Sequence, residues 1–311
     1  KDWLTSAPNV ITGIMWCIAA FTKTNDVIAV LTPVYGAFDA SASDAKRPII
    51  AVPMNRNEDN RYSVDYSAFE AAIIKQDVKV FIHCNPHNPV GHVWTEEEMD
   101  QLFSICSRHG VLIISDEIHQ DIVTGPLPFT SALTVSNGAY TNNIIAMSSL
   151  SKSFNMASLH HAEVIIPNEE LRRQYNACKS LVYHTDSDVL AEAAITAAYT
   201  YPEAEMWLTD LLAVVKENYE YMCRHLLQAL PELRISPMDG TYLAWIDFGA
   251  YVKAENMHNI FENQCGIAPS FGEWFGGKSY ATFVRLNLAT SLENIKIATN
   301  SIIQHIHPNH K

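Results

Sequence analysis

Between residues 27 and 166 short β-branched apolar runs alternate with amphipathic stretches, and few architectures accept that pattern. The strand candidates are Val27–Leu31, Val78–His83, Val111–Ser115, Ile144–Ser148 and Glu163–Ile166. Each reads as a strand buried on both faces of a parallel sheet. Between the second and third lies a well-signalled helix. Thr95 and Glu98 make a capping-box pair, Met99, Leu102, Phe103 and Cys106 recur at i, i+3, i+4 and i+7, and Gly110 offers a stop. Such alternation predicts right-handed crossovers and an α/β fold with a mostly parallel sheet between helices.

The pattern changes after about residue 187. A mostly helical stretch to Leu230, short strands around Tyr242–Phe248 and Thr282–Leu288, and a last helix ending near Ile306 predict a smaller C-terminal α+β domain. Residues 1–203 are assigned to the large domain and 204–311 to the small one. The closing HIHPNHK reads as a frayed polar tail, and no metal site is expected.

Composition narrows the partners. The net charge of −13 repels phosphate backbones and anionic lipids, so neither nucleic acid nor membrane is expected as a partner. No apolar run approaches the roughly 20 residues of a membrane-spanning helix. The opening KDWLTSAPNV lacks the layout of a signal peptide. The six cysteines are scattered without a CxxC, which fits buried thiols in a reducing compartment. A cytoplasmic protein with a small-molecule substrate is the expectation.

In open α/β sheets ligands gather at the carboxyl ends of the strands. After Val78–His83 comes a turn containing Asn85, Pro86, Asn88, Pro89 and Gly91; Val111–Ser115 runs into Asp116, Glu117 and His119; Ile144–Ser148 runs into Ser149, Ser151 and Lys152. Singly, each has a bland reading: a turn, a helix cap, a solvated serine-rich loop. An amide, an acid and an amine at three successive strand ends suit one cofactor, pyridoxal phosphate, which needs all three. Lys152 supplies the amine for its aldehyde, Asp116 the carboxylate at the pyridine nitrogen and Asn88 a donor to the phenolic oxygen. Ser149 and Ser151 bind the phosphate, with backbone N–H groups from a helix start near Val10 and Ile11. Tyr35, otherwise a core aromatic, lies on the ring. Lys152 and Tyr35 are the candidate catalytic residues.

With those residues in place, the chain resembles fold-type I pyridoxal-phosphate enzymes, the aspartate aminotransferase superfamily. More narrowly it resembles the MalY/PatB group of cystathionine β-lyase-like C–S lyases. The matching pieces are TPVYGAF, CNPHNPVG, SDEIHQD, SSLSKSFNMASL, GTYLAWIDF and FVRLNLA, and DEIH followed by SKSFN favours the C–S lyase group. The resemblance implies that Arg285 takes the substrate α-carboxylate, with Asn88 nearby, and that His119 stands near the phenolic oxygen or has a structural role. It also implies a homodimer with active sites completed across subunits. The implied reaction is β-elimination of cystathionine or cysteine S-conjugates to a thiol, pyruvate and ammonia. An aminotransferase is the alternative; a truncated non-catalytic homologue or regulatory binding partner is the third reading. Relatives carry a substantial segment before the phosphate-binding helix, and the resemblance implies that it is lacking here. Asn9, Asn25 and Ser158 stand where relatives have glycine, and His160 and His161 stand where small or apolar residues are usual. The total of 12 glycines is low accordingly. At Asn9 and Asn25 the expectation is that asparagine preserves the turns by tolerating left-handed backbone.

Overall fold

Alternate residues along the central strands fall into two different cores, as strands buried on both faces require. The computed structural model describes residues 2–182 and 189–306. It runs β1 (Leu4–Ala7), α1 (Val10–Phe21), β2 (Val27–Thr32), α2 (Ala37–Asp44), β3 (Ile49–Pro53), the hairpin β4 (Asn55–Arg56) and β5 (Tyr62–Ser63), α3 (Tyr66–Gln76), β6 (Val78–Cys84), α4 (Glu96–Arg108), β7 (Leu112–Asp116) and β8 (Ile144–Ser148). There follow the single turn α5 (Leu150–Ser153), β9 (Ala162–Ile165), α6 (Glu169–Val182), α7 (Val189–Thr200) and α8 (Pro202–Ala229). The last part holds β10 (Arg234–Ile235), β11 (Leu243–Asp247), β12 (Ser270–Phe271), β13 (Phe283–Asn287) and α9 (Leu292–His305).

The large sheet has the order β1-β9-β8-β7-β6-β2-β3 among the described residues. Its middle, from β8 through β3, is parallel. Ile28, Val30, Ile82 and Ile114 face α1 and α2, whereas Ala29, Leu31, Phe81 and Ile113 face α3 and α4. A third core gathers Leu226, Ile246, Phe248, Phe261, Val284 and Ile302 around the antiparallel sheet β10-β11-β13-β12. Trp245, Phe275, Tyr280 and Phe283 leave that unit to join the α3–α4 core, wedging the C-terminal part against the large sheet. The ion pairs Arg56–Asp247 (2.8 Å) and Arg61–Asp239 tie the β4–β5 hairpin to the same part.

The fold is the mostly parallel α/β sheet between helices read from the sequence, with differences of detail. The expected strand at 163–166 is β9, and it runs antiparallel to β8. Its connection holds only one helical turn, too little for the covering crossover that a parallel neighbour needs. Strands β1 and β3 escaped the sequence reading, since both are short edge strands with partly exposed side chains. The helical stretch after 187 is two helices, broken where Pro202 opens α8 and leaves Tyr201 extended. Finally, Asn25 does sit in left-handed backbone (φ 75°), but Asn9 is extended and works as a helix cap instead. The capping box on α4 forms as read, with Thr95 and Glu98 each accepting from the other's backbone N–H. Residues 307–311 of the polar tail lie outside the described residues.

Candidate active site

A cavity of about 600 Å³ opens at the carboxyl ends of β6, β7 and β8. It is bordered by every candidate residue: Val10, Ile11, Tyr35, Asn88, Asp116, His119, Ser149, Ser151, Lys152 and Arg285. The parallel strands do the gathering. The three end side by side, with Cys84 paired to Asp116 and Asp116 to Met147, so the loops after them converge. Of the two amides that follow β6, only Asn88 borders the cavity. Asn85 turns inward, where its side chain donates to Thr130 O at 2.9 Å and holds a neighbouring loop.

Part of the rim is the start of α1. Asn9 Oδ1 accepts from Thr12 N at 2.8 Å, and Gly13 N bonds Asn9 O at 3.0 Å. The N–H groups of Val10 and Ile11 precede the first intrahelical bond, so they have no acceptor within the helix and are available to an anion. At the start of α5, Ser149 Oγ accepts from Ser151 N at 3.2 Å and donates to His161 O at 2.7 Å. Of this serine pair, the Ser151 hydroxyl is the one without a protein acceptor among the described residues.

Burial sets the electrostatics. Asp116 is buried, and desolvation lifts its carboxyl to about 6, against the opposing pull of the Ile118 N–H at 3.1 Å and of the Lys152 charge. Lys152 is half-buried; desolvation lowers its ammonium pKa and the Arg285 charge adds to that, while Asp116 opposes. His119 is pushed down to about 3 by burial, with Lys152 and Arg285 reinforcing it, so its imidazole is neutral. Its Nδ1 is buried without a hydrogen-bond partner, and its ring meets Tyr242 edge-on at 5.6 Å. Arg285 donates from Nη1 to Asn88 Oδ1 and from Nη2 to Ser270 Oγ, both at 3.0 Å, and lies over the Phe275 ring at 4.9 Å. Tyr35 is held edge-on by Trp274, with centroids 4.9 Å apart.

Ser270, Trp274 and Tyr242 were not singled out by the sequence reading, although each touches a residue that was. Tyr242 lies within GTYLAWIDF, directly before β11. Ser270 and Trp274 have no local signal. Glu117 beside Asp116 is structural in its contacts: it accepts from Ser115 Oγ (3.0 Å), Ser131 Oγ (2.8 Å) and Ala132 N (2.8 Å), and burial raises its carboxyl to about 7.

A doubly wound sheet with an amine, a buried acid, an amide and a helix N-terminus around one cavity defines a cofactor-dependent enzyme class. The family model for class I and II aminotransferases matches residues 10–302, and the chain belongs to that family. Cystathionine beta-lyase PatB of Bacillus subtilis is 29% identical over 296 residues, covering 94% of this chain and 75% of that one. Protein MalY of Escherichia coli is 32% identical over 284 residues, covering 90% and 70%. The solved structure of the PLP-bound C-S lyase from Staphylococcus hominis superposes with a TM-score of 0.91 at 27% identity, covering 98% of this chain and 77% of that one. The fold is therefore that of pyridoxal-phosphate enzymes of this family. Among the described residues, no helix is long and apolar enough to cross a membrane.

Proposed function

We propose that the protein is a pyridoxal-phosphate-dependent C–S β-lyase acting on cystathionine or a related cysteine S-conjugate. The observation that carries this reading is the convergence of Asn88, Asp116, Lys152 and Arg285 on one cavity, in a chain similar to a cystathionine beta-lyase over 94% of its length. The donor set fits the cofactor: one amine, one buried carboxylate, one amide and unpaired helix N–H groups match its aldehyde, ring nitrogen, phenolic oxygen and phosphate. When bound, pyridoxal phosphate supplies an aldehyde for amines and a ring that takes up the electron pair left on the substrate α-carbon.

In this reading Asp116 keeps a negative charge at the ring nitrogen. Bringing a protonated nitrogen to it returns its carboxyl from about 6 toward the ordinary range, since an opposite charge favours the ionised form. Asn88 has Oδ1 committed to Arg285, which leaves its Nδ2 to donate to the phenolic oxygen. Arg285 binds the substrate α-carboxylate, and its two fixed bonds set the plane of the guanidinium. Lys152 removes the α-proton; burial lowers its ammonium pKa and so raises the share of neutral amine able to act as base. The Cβ–S bond then breaks and the thiolate leaves. Tyr35 covers the ring, Val10, Ile11, Ser149 and Ser151 hold the phosphate, and neutral His119 stands beside the phenolic oxygen.

An aminotransferase is the second reading, favoured by the family to which the chain belongs. A visible spectrum after incubation with pyridoxal phosphate, followed by cystathionine without any keto acid, separates the two. Pyruvate accumulating while the Lys152-dependent band persists supports the lyase; decay of the band to the pyridoxamine form supports the aminotransferase. No turnover at all moves the chain to the non-catalytic reading.

Three further assignments belong to the same proposal. The chain divides into residues 1–203 and 204–311, supported by the start of the third core at Val215. It forms a homodimer, supported by the exposed apolar side chains of Met206, Trp207 and Val214 on α8 and of Tyr201 just before it; sedimentation at several concentrations tests it. It works in the cytoplasm, supported by free buried thiols such as Cys17, Cys84 and Cys106.

A further inference from the structure

Lys152 sits on α5, a helix of four residues. A single turn cannot hold itself together in water, because helix nucleation fixes several residues for each hydrogen bond gained. Its position must come from ties to its surroundings, and these fall on both sides of the lysine. On the N-terminal side Ser151 N is bonded to Ser149 Oγ, which is itself anchored on His161 O. On the C-terminal side the adjoining residue, Ser153, is fully buried and donates from Oγ to Asp121 Oδ2 at 2.7 Å. The same Oδ2 accepts from Tyr199 OH of α7 at 3.2 Å. Phe154 continues the link, stacked on Trp207 of α8 at 5.7 Å and edge-on to Tyr199 at 6.0 Å.

We propose that Asp121 is a positioning residue for Lys152, acting through Ser153. Asp121 bonds the neighbouring residue and not Lys152 itself, and the lysine's ammonium is shifted by burial, Asp116 and Arg285. Its effect is geometric. One carboxylate oxygen receives hydroxyls from two elements, the lysine-bearing turn and α7, and so fixes the turn relative to the helices that back it. Hydrogen bonds to a charged acceptor are shorter and about twice as strong as neutral ones, which suits an anchor. The proposal rests on the reading of Lys152 as the amine that holds the cofactor.

The test compares the wild type with Ser153→Ala, Asp121→Ala and the double variant after incubation with pyridoxal phosphate. The readouts are visible circular dichroism of the bound cofactor, its release rate, and kcat against KM with cystathionine. Ser153→Ala is expected to weaken the dichroism, to speed release several-fold, and to lower kcat roughly three- to tenfold with KM little changed, as a small misplacement of a reacting group does. The double variant is expected to match Asp121→Ala, since both act through one bond. Wild-type dichroism and release in Ser153→Ala, or effects that add in the double variant, overturn the proposal. Ser153→Ala decides alone should Asp121→Ala fail to fold. Amide exchange without cofactor separates this failure from that of the cofactor reading. If the wild type shows no Lys152-dependent band, the cofactor reading fails, and the tie stands or falls on faster exchange across residues 150–154 in Ser153→Ala.

Discussion

Arg285 and Asn88 are 197 positions apart in sequence, yet Nη1 of the one donates to Oδ1 of the other at 3.0 Å. The bond joins the C-terminal sheet to the loop after β6, so the group assigned to the substrate carboxylate and the group assigned to the phenolic oxygen are oriented together. Replacing the arginine disturbs both. Arg285→Lys keeps the charge but cannot make two bonds in the fixed plane of a guanidinium. We expect kcat/KM to fall about ten- to a hundredfold, the equivalent of one hydrogen bond to a charged group at about 1.5–3 kcal/mol. Steady-state kinetics with cystathionine measures it, and a value within twofold of wild type removes the carboxylate assignment.

Asp116 and Lys152 give a paired prediction. Asp116→Asn removes the charge without changing shape. It is expected to retain a cofactor band that still depends on Lys152, yet to lose most turnover. Lys152→Ala is expected to lose both the band and the turnover. Spectra and pyruvate release on the two variants read this directly; equal loss of the band in both would place Asp116 in cofactor retention alone.

A third prediction concerns pH and lies outside the cavity. His83 on β6 is buried, neither ring nitrogen has a hydrogen-bond partner, and burial lowers its pKa to about 3, with His87 and His92 adding to the shift. The unfolded chain therefore takes up a proton near the ordinary histidine value of about 6.5, before the folded one does. The stability that follows from keeping this ring neutral is complete above pH 6.5 and is lost as the pH falls through the interval toward 3. At pH 5 the loss is about 2 kcal/mol. Asp116 and Glu117, whose carboxyls are raised to about 6 and about 7, act in the opposite sense over part of that range. Comparison with His83→Leu isolates the histidine: the difference in unfolding free energy between pH 7 and pH 5 should shrink by about 2 kcal/mol in the variant. Urea titrations of the cofactor-free protein at both pH values supply it.

How much of this was legible beforehand follows from where each residue sits in the chain. Asn88, Asp116 and Lys152 lie directly after strands with strong local signals, so a rule about strand ends reaches them. Val10 and Ile11 are marked by the change from polar to apolar at a helix start. Arg285 is different: it lies in a strand whose neighbours are set by tertiary pairing with Trp245 and Ser270, and only resemblance pointed to it. The direction of β9 was hidden because an apolar run has the same period either way round. Trp274, which presses on Tyr35, belongs to a loop whose course is dictated by the aromatic wedge, a feature with no periodicity to read.

That wedge yields the last prediction. Gly36 opens α2 directly after Tyr35, with ordinary right-handed backbone (φ −64°), so its lack of a side chain is a matter of space and not of conformation. A Cβ built there meets the carbonyl oxygen of Trp274 and comes within 2.8 Å of its indole ring. Neither can give way cheaply: the carbonyl is backbone, and the ring packs edge-on against both Tyr35 and Phe275. Gly36→Ala must therefore push the 272–275 segment away from the large sheet, at the roughly 1–3 kcal/mol that overpacking costs. The same shift moves the phenol meant to cover the cofactor and the Phe275 ring beneath Arg285. We expect a lower melting temperature together with weaker cofactor binding. By contrast, Gly110→Ala is expected to cost stability through its left-handed backbone (φ 65°) while leaving cofactor binding alone, since nothing lies within 4 Å of its Cβ. Thermal melts and cofactor titrations on the two variants make the comparison. Unchanged cofactor affinity in Gly36→Ala would mean that Trp274 does not set the position of Tyr35.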